Sequence, residues 1–150
     1  MRPAPQELSA TEAVPAMLRY LLSNGIDGGE LRIQARTQPS TRVVFRKYIR
    51  APGKIGFFGI FEPSINDTRL DANWCAQLTR ASNFAGALTS ETPNRVQLDL
   101  GDDVGRAEEF VTSVFENLLH TSIKRDCVAY FEGVLISNVP RLTGVDTFTK

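Results

Sequence analysis

Two neighbouring segments of the chain alternate between apolar and polar residues, and this alternation restricts the fold more than any other feature. They are ELRIQART, residues 30–37, and TRVVFRKYIR, residues 41–50. The apolar members are Leu31, Ile33 and Ala35 in the first segment and Val43, Phe45 and Ile49 in the second. Successive side chains of a strand point to opposite faces, and Pro39-Ser40 signals a turn between the segments. We therefore predict a β-hairpin with one apolar face, on which Lys47 is the exception.

The polar face of this hairpin carries arginines in both strands. A register that sets Arg36 opposite Arg42 also sets Arg32 opposite Arg46, and directly opposed like charges destabilise a sheet. A slip by one pair keeps the apolar residues on one face but changes the opposed partners. The face therefore requires carboxylates from elsewhere in the chain, an acidic partner, or free solvent in which the arginines splay apart. Candidate carboxylates are Asp99, Glu108 and Glu109.

The segment GKIGFFGIFEPSIN, residues 53–66, predicts a third strand with apolar residues on both faces. Ile55, Phe57 and Phe61 share one face, and Phe58 and Ile60 share the other. Such a strand is typical of the centre of a sheet that is covered on both sides. Gly56 and Gly59 predict a bulge or a close approach by another element. An RNA-recognition strand needs its stacking aromatics on one exposed face, and Phe57 and Phe58 point opposite ways, so we interpret the segment as a core strand.

The rest of the chain predicts helices and hairpins in alternation. The expected elements are a helix over 13–24, a helix from Leu70 to about Ser82, strands over 84–89 and 95–100, a helix from Gly101-Asp102-Asp103 to about His120, and a last strand over 127–136. The order is α-β-β-β-α-β-β-α plus one extra strand, which predicts an α+β fold with a largely antiparallel sheet. We expect a single domain, with a flexible N-terminus over 1–12, a core over 13–137 and a tail over 138–150.

Composition and charge exclude some classes of protein and leave others open. The chain has 150 residues, with 17 basic and 17 acidic side chains, so the net charge favours neither nucleic acid nor membrane. Seven basic and no acidic residues fall in 31–61, whereas seven acidic and two basic residues fall in 91–116. These regions either pair within the fold or present two charged faces to partners. Without an apolar run of membrane-spanning length or a secretory signal, we expect a cytoplasmic protein.

Residues that could perform catalysis are few. His120 is the only histidine, and Cys75 and Cys127 are the only cysteines. The cysteines have no metal-like spacing and are interpreted as reduced, buried thiols. There is no phosphate-binding loop, dinucleotide fingerprint or serine elbow. We therefore predict a non-enzymatic protein without cofactor or metal; a small hydrolase would require His120 to lie near Cys127 or an acid in a pocket.

Three segments resemble the class I type III secretion chaperones of Gram-negative bacteria, over residues 13 to about 122. GKIGFFGIFEP is similar to the apolar, glycine-containing third strand of that family. LDANWCAQLTRASNFAGAL resembles the following helix and its turn into the fourth strand. RVQLDLGDDVGRAEEFVTSVFENLLH is similar to the fifth strand and the long closing helix.

The resemblance implies a small cytoplasmic homodimer that binds the N-terminal segment of a secreted effector in extended form, without nucleotide. The effector would lie over apolar patches on the first helix and first sheet. Carried over to this chain, the partner-binding candidates are Leu18, Leu22, Leu31, Ile33, Val43 and Phe45. The dimer-interface candidates are Leu70, Trp74, Leu78, Val96 and Leu98.

Two features depart from that family and support an alternative. The family is usually acidic, whereas this chain is neutral, and the strand over 127–136 is extra, so that it either blocks or extends the binding surface. The alternative is an anion- or nucleic-acid-binding or regulatory module that uses the arginine-rich hairpin over 31–50. Its candidate residues are Arg32, Arg36, Arg42 and Arg46. Phosphate binding would weaken steeply with ionic strength.

Overall fold

The computed structural model describes residues 7–8, 10–38, 41–50, 53–63, 73–81, 88–92, 95–134, 141–142 and 147–149. The strands are β1 (Glu7–Leu8), β2 (Gly25–Ala35), β3 (Arg42–Ile49), β4 (Ile55–Phe61), β5 (Leu88–Thr92), β6 (Arg95–Asp99), β7 (Cys127–Val134), β8 (Arg141–Leu142) and β9 (Thr147–Thr149). The helices are α1 (Ala10–Asn24), α2 (Trp74–Ala81), α3 (Val104–Thr112), a π-helix (Ser113–Leu118) and α4 (Ile123–Asp126).

A seven-stranded sheet in the order β5-β6-β4-β3-β2-β7-β9 organises the described part of the chain. Every neighbouring pair is antiparallel except β7 with β9, and β1 pairs with β8 in a separate parallel ribbon. The predicted α+β class with a largely antiparallel sheet is therefore confirmed. The extra strand, β7, pairs with β2 and so extends the sheet beyond the hairpin. Strands β1, β8 and β9 lie in terminal segments for which no regular structure is predicted.

The core lies between one face of the sheet and the helices. Phe45 packs edge-on against Phe57 and against Phe110 of α3, with ring centroids 5.8 and 6.3 Å apart. Tyr20 of α1 contacts Phe131 in the same way, at 5.7 Å. The rings of Phe45, Phe57 and Phe131 reach the same core from β3, β4 and β7, because every second side chain of a strand points to one face. The predicted apolar face of the hairpin is thus the wall of the core.

The register of the β2–β3 hairpin resolves the predicted clash of arginines. Glu30 lies opposite Arg46 and Gln34 opposite Arg42, which is the slip by one pair rather than the register that opposes arginines. Arg32 consequently faces Val44. The apolar faces stay together, because a slip by one pair preserves the side-chain alternation.

The two glycines of β4 mark close approaches rather than a bulge. The β3–β4 register runs without a shift from Val43 to Ile49. A Cβ atom at Gly59 would lie 2.7 Å from Leu100 Cδ1 and 3.0 Å from the Phe110 ring. A Cβ atom at Gly56 would overlap with the Tyr48 hydroxyl. Glycine at these positions therefore lets the core on one face and Tyr48 on the other come close to the β4 backbone.

Lys47, the exception on the apolar face, is buried and holds the end of α1. Its Nζ donates hydrogen bonds to the carbonyl oxygens of Leu22 at 2.5 Å and Gly25 at 2.7 Å. The last carbonyls of a helix lack partners within the helix. A lysine on the sheet thus completes the helix terminus, while burial lowers the pKa of its ammonium group.

Several element boundaries differ from the predicted ones. Helix α1 begins at Ala10 rather than at 13, and β2 begins directly after it at Gly25 rather than at 30. Strand β5 spans Leu88–Thr92, so it runs through part of the predicted turn. The predicted helix after Gly101 is confirmed, and the Asp103 carboxylate caps it by accepting a hydrogen bond from the Arg106 N–H at 3.0 Å. Its last part is a π-helix, a form that no periodicity in the sequence predicts.

Candidate functional site

The structure buries the residues predicted to bind a partner. The side chains of Leu18, Leu31, Ile33, Val43 and Phe45 are 0% exposed and belong to one cluster. Leu22 is half-buried and packs against that cluster. The reason is that α1 and α3 lie on the apolar face of the hairpin, so that face is filled by the chain itself. In this fold a partner cannot reach these five side chains, and its surface has to be sought elsewhere.

The residues predicted to form a dimer interface are also placed in the core where they are described. Val96 and Leu98 point into the core from β6 and are 0% exposed. Trp74 and Leu78 of α2 are nearly as buried, and the Trp74 ring lies edge-on to Phe61 at 5.2 Å. Leu70 lies outside the described residues. These four side chains are thus occupied by contacts within one chain.

The opposite face of the sheet, here called the open sheet face, has no described helix packed on it. It consists of the outward residues of β2, β3, β4 and β7, and its apolar and aromatic members include Val44, Tyr48, Phe58 and Tyr130. All four are half-buried, so that part of each side chain remains accessible. The expectation that β4 is covered on both sides is met only in part, because Ile60 is buried on this face whereas Phe58 is half-buried.

Charged residues on the open sheet face are paired with each other. Arg46 Nε donates to Glu30 Oε2 at 2.8 Å, and Arg32 Nη2 lies 3.6 Å from Glu30 Oε1 and 3.7 Å from Glu132 Oε2. Glu30 and Glu132 are therefore the carboxylates that pair with Arg32 and Arg46, and among the described residues neither of these arginines pairs with the expected partners Glu108 and Glu109. Arg32 Nε is buried without a hydrogen-bond partner. Arg42 is exposed on this face.

Tyr48 is the centre of a second cluster on the open sheet face. Its hydroxyl donates to Asp99 Oδ1 at 2.7 Å, and Asp99 Oδ2 lies 3.6 Å from Arg50 Nη1. The Arg50 guanidinium is 4.3 Å from the centroid of the Tyr48 ring. The Phe58 ring is tilted against Tyr48 at 4.8 Å. The acid Asp99, a candidate partner for the arginines, thus binds Arg50 and orients a tyrosine.

Tyr48 is expected to ionise later than an ordinary tyrosine. Burial, followed by the hydrogen bond to Asp99 and its negative charge, raises the pKa of Tyr48 to about 12. Because the folded pKa is higher than that of the unfolded chain, this stabilisation is complete below about pH 10 and is lost as the pH rises towards 12. Phenolate absorbance in an alkaline titration measures this, and Tyr48→Phe should remove the late component. Asp99→Asn should lower the Tyr48 pKa; an unchanged titration in that variant contradicts the assignment.

Three exposed isoleucines lie at one end of the sheet and are here called the isoleucine rim. Ile26, Ile49 and Ile55 are 61%, 44% and 40% exposed, and they are the exposed large apolar residues of the described part of the chain. Ile49 and Ile55 are direct partners in β3 and β4. The Ile49 N–H donates to Asp27 Oδ1 at 2.9 Å, which fixes the segment next to Ile26 against β3. The alternation places Ile49 on the apolar face but does not indicate that the helices end before they cover it.

His120 lines a pocket of about 180 Å³ together with Ala35, Arg36, Thr37, Thr121 and Asp126. A hydrolase would require an acid or Cys127 near His120 in a pocket, and Asp126 lines the same pocket as His120. Cys127 follows Asp126 in sequence, but its thiol is buried, and burial followed by the charges of Asp126 and Glu116 raises its pKa to about 12. A nucleophilic thiolate at neutral pH is therefore disfavoured. The structure also separates Arg36, which is in this pocket, from the arginines of the open sheet face.

The described ranges contain no group of three or more histidine, cysteine, aspartate or glutamate side chains placed to hold a metal ion. No helix within them is both long and apolar enough to cross a membrane. Comparison of the chain with protein-family models, with curated proteins and with solved structures finds no significant match.

Proposed function

We propose that this protein is a non-enzymatic chaperone that binds the N-terminal segment of a secreted effector in extended form. The observation that supports the proposal most is the open sheet face, which leaves aromatic side chains half-exposed. The isoleucine rim adds exposed apolar side chains at one end of the sheet, on the opposite side from these aromatic residues. The order of elements up to the π-helix also agrees with the fold that the resemblance to class I type III secretion chaperones implies. The client of the proposal therefore lies on the open sheet face and continues around the end of the sheet onto the isoleucine rim, and it does not contact the six apolar residues taken from the resemblance.

The surface suits an extended client for a physical reason. Val44, Tyr48, Phe58 and Tyr130 stand on neighbouring strands, so a segment crossing the sheet meets several of them. Covering apolar area contributes about 25 cal/mol per Å². A disordered client loses conformational entropy on binding, and this cost keeps the complex releasable. The internally paired arginines solubilise the face without leaving a large net charge.

Homodimerisation and a cytoplasmic location belong to the same proposal. Homodimerisation follows from the resemblance rather than from a contact between described residues, and the cytoplasmic location follows from the resemblance and from the sequence features given above. If the dimer forms, its interface uses side chains other than Val96 and Leu98, because these are completely buried within one chain.

The alternative is binding of nucleic acid or another polyanion through the hairpin arginines. It is favoured by Arg42 and Arg46 on the outward side of β3 and by Arg50 directly after this strand, which are four residues apart and exposed. It is opposed by the ion pairs of Arg46 with Glu30 and of Arg50 with Asp99, which reduce the charge available to phosphate. We therefore place it second.

Client binding is expected to depend on the isoleucine rim. The partner is to be recovered by pull-down from the native host and identified by mass spectrometry. Its N-terminal segment is then prepared as a labelled peptide for affinity measurements. Ile49→Asp should weaken binding by about tenfold or more, because one isoleucine buried at an interface contributes about 1.5–3 kcal/mol. Glu109→Gln, an exposed change on the helical side, is the matched control and should leave the affinity unchanged.

Ionic strength separates the two proposals. The affinity for an apolar segment should change little with salt, whereas binding to phosphates should weaken steeply. Recovery of nucleic acid alone, or an unchanged affinity in Ile49→Asp, rejects the chaperone proposal.

A further inference from the structure

The isoleucine rim groups large apolar side chains at the end of the sheet where β2 and β4 begin and β3 ends. Ile49 and Ile55 lie opposite each other in β3 and β4 and are 44% and 40% exposed. Ile26, in the neighbouring strand β2, is 61% exposed. Exposed apolar side chains that are grouped, rather than scattered singly, mark a surface at which another macromolecule binds.

Hydrogen bonds fix the backbone on both sides of β3 at this rim. The Ile49 N–H donates to Asp27 Oδ1 at 2.9 Å, which joins the first residues of β2 to the end of β3. The Arg50 N–H donates to the Lys54 carbonyl at 2.9 Å, which closes the turn from β3 into β4. A surface that is ordered before it binds loses little conformational entropy on binding. The rim is therefore preorganised for a partner.

One acidic and one basic residue flank Ile49. Asp27 follows Ile26 in β2, and Lys54 directly precedes Ile55, the first residue of β4, so the two charges stand on either side of β3. Both side chains are exposed. Among the described residues, neither of them takes part in an ion pair. Opposite charges thus stand on opposite sides of one apolar group.

We infer that the isoleucine rim is the surface through which a second copy of this chain binds, in a dimer with a two-fold axis. An axis perpendicular to the sheet and beside Ile49 places β4 of one copy opposite β2 of the other. Ile55 then meets the partner subunit's Ile26, and Lys54 meets the partner subunit's Asp27. Each contact occurs twice, as a two-fold interface requires.

The pattern of charges favours a second copy over other occupants. A purely acidic or purely basic partner would pair with only one of the two charges, whereas an identical rim pairs with both. The chain has 17 basic and 17 acidic side chains, so two copies do not repel each other through their net charge. Three isoleucines form only the centre of a standard interface of roughly 800 Å² per partner, so we expect dissociation at micromolar concentration.

The dimer deepens the proposed function, in which the client continues onto the same rim. A second copy on the rim and a client on the rim exclude each other, so the dimer is the client-free form; this step alone rests on the proposed function. Self-association is measured on the protein without a client. Failure of client binding and failure of self-association are therefore separate results.

Sedimentation velocity of the full chain over a range of concentrations tests the inference. The protein should change from monomer to dimer as its concentration rises. Ile26→Asp should raise the dissociation constant of the dimer by about tenfold or more, because burial of one isoleucine contributes at least about a factor of ten. Thermal stability should be retained, since Ile26 is 61% exposed. Arg125→Gln, which changes the charge equally at an exposed position next to the start of β7, at the other end of the sheet, should have no effect.

Two charge variants test the orientation of the copies. Asp27→Lys and Lys54→Asp each set like charges opposite each other in both contacts, so either variant alone should dimerise at least about tenfold more weakly. A mixture of the two variants restores opposite charges in both contacts and should form a one-to-one heterodimer. Mixing cannot repair a folding defect, so recovery reports on the interface itself.

Three results would overturn the inference. They are a protein that stays monomeric up to millimolar concentration, a dimer that Ile26→Asp leaves unchanged, and a mixture of the charge variants that forms no heterodimer.

Discussion

Replacing Phe45 by alanine is expected to lower the free energy of unfolding by about 3–5 kcal/mol. The ring is 0% exposed and contacts both Phe57 and Phe110, so the substitution leaves a cavity between the sheet and α3. Urea denaturation followed by circular dichroism measures the loss. An effect of this size identifies Phe45 as a core residue rather than a partner-binding residue.

The matched control lies in the same strand and on the same face. Ile49→Ala removes an apolar side chain that is 44% exposed, and it should cost less than about 1.5 kcal/mol, since only part of its surface is buried. If Phe45→Ala is as mild as Ile49→Ala, the packing described for the hairpin is incorrect.

Replacing Lys47 by methionine should have the second largest effect, a loss of about 2–4 kcal/mol of unfolding free energy. The substitution keeps the length of the side chain but leaves the carbonyls of Leu22 and Gly25 without their donor. A hydrogen bond to a charged group contributes about 1.5–3 kcal/mol, and part of the loss is offset because a buried charge is removed. Thermal and urea unfolding of the variant measure the change.

Lys54→Met is the control for this substitution, because Lys54 is exposed just before β4. Its stability should stay within about 0.5 kcal/mol of the original protein, as is usual for surface changes. A Lys47→Met protein with unchanged or higher stability would show that burial of the ammonium group costs more than its two hydrogen bonds contribute.

The parts of the fold that follow from side-chain alternation were predictable from the sequence. The residues of β3 and β4 fall on the predicted faces, because a period of two allows only two assignments for each strand. The N-cap of α3 could also be predicted from the sequence, because Asp103 directly precedes an apolar stripe with helical spacing. These features depend on neighbours in sequence.

The client surface was not predictable in the same way. Alternation predicts that Val43 and Phe45 share a face, but the resemblance, rather than the pattern, assigned that face to a partner. The area that α1 covers depends on where the helix ends relative to β3. That end is fixed by Lys47, which reaches it from a different element. Ile49, one pair beyond, is left exposed for this reason.

The pocket at His120 depends on contacts that are distant in sequence. Arg36 and Asp126 are 90 positions apart and meet only because β7 pairs with β2. No spacing rule relates them, and the strand that joins them is the one that departs from the resembled family. The single histidine could be identified from the sequence, but the residues that line the pocket with it could not be predicted.

The hairpin register has a consequence for how the chain reaches its fold. Exposed ion pairs such as those of Glu30 contribute only about 0–1 kcal/mol each to the folded state. The competing frame, one pair away, buries the same apolar side chains but sets Arg32 against Arg46. Repulsion acts only in that misaligned register, so the charges raise its free energy and favour the native register, which burial of the apolar side chains alone would not do.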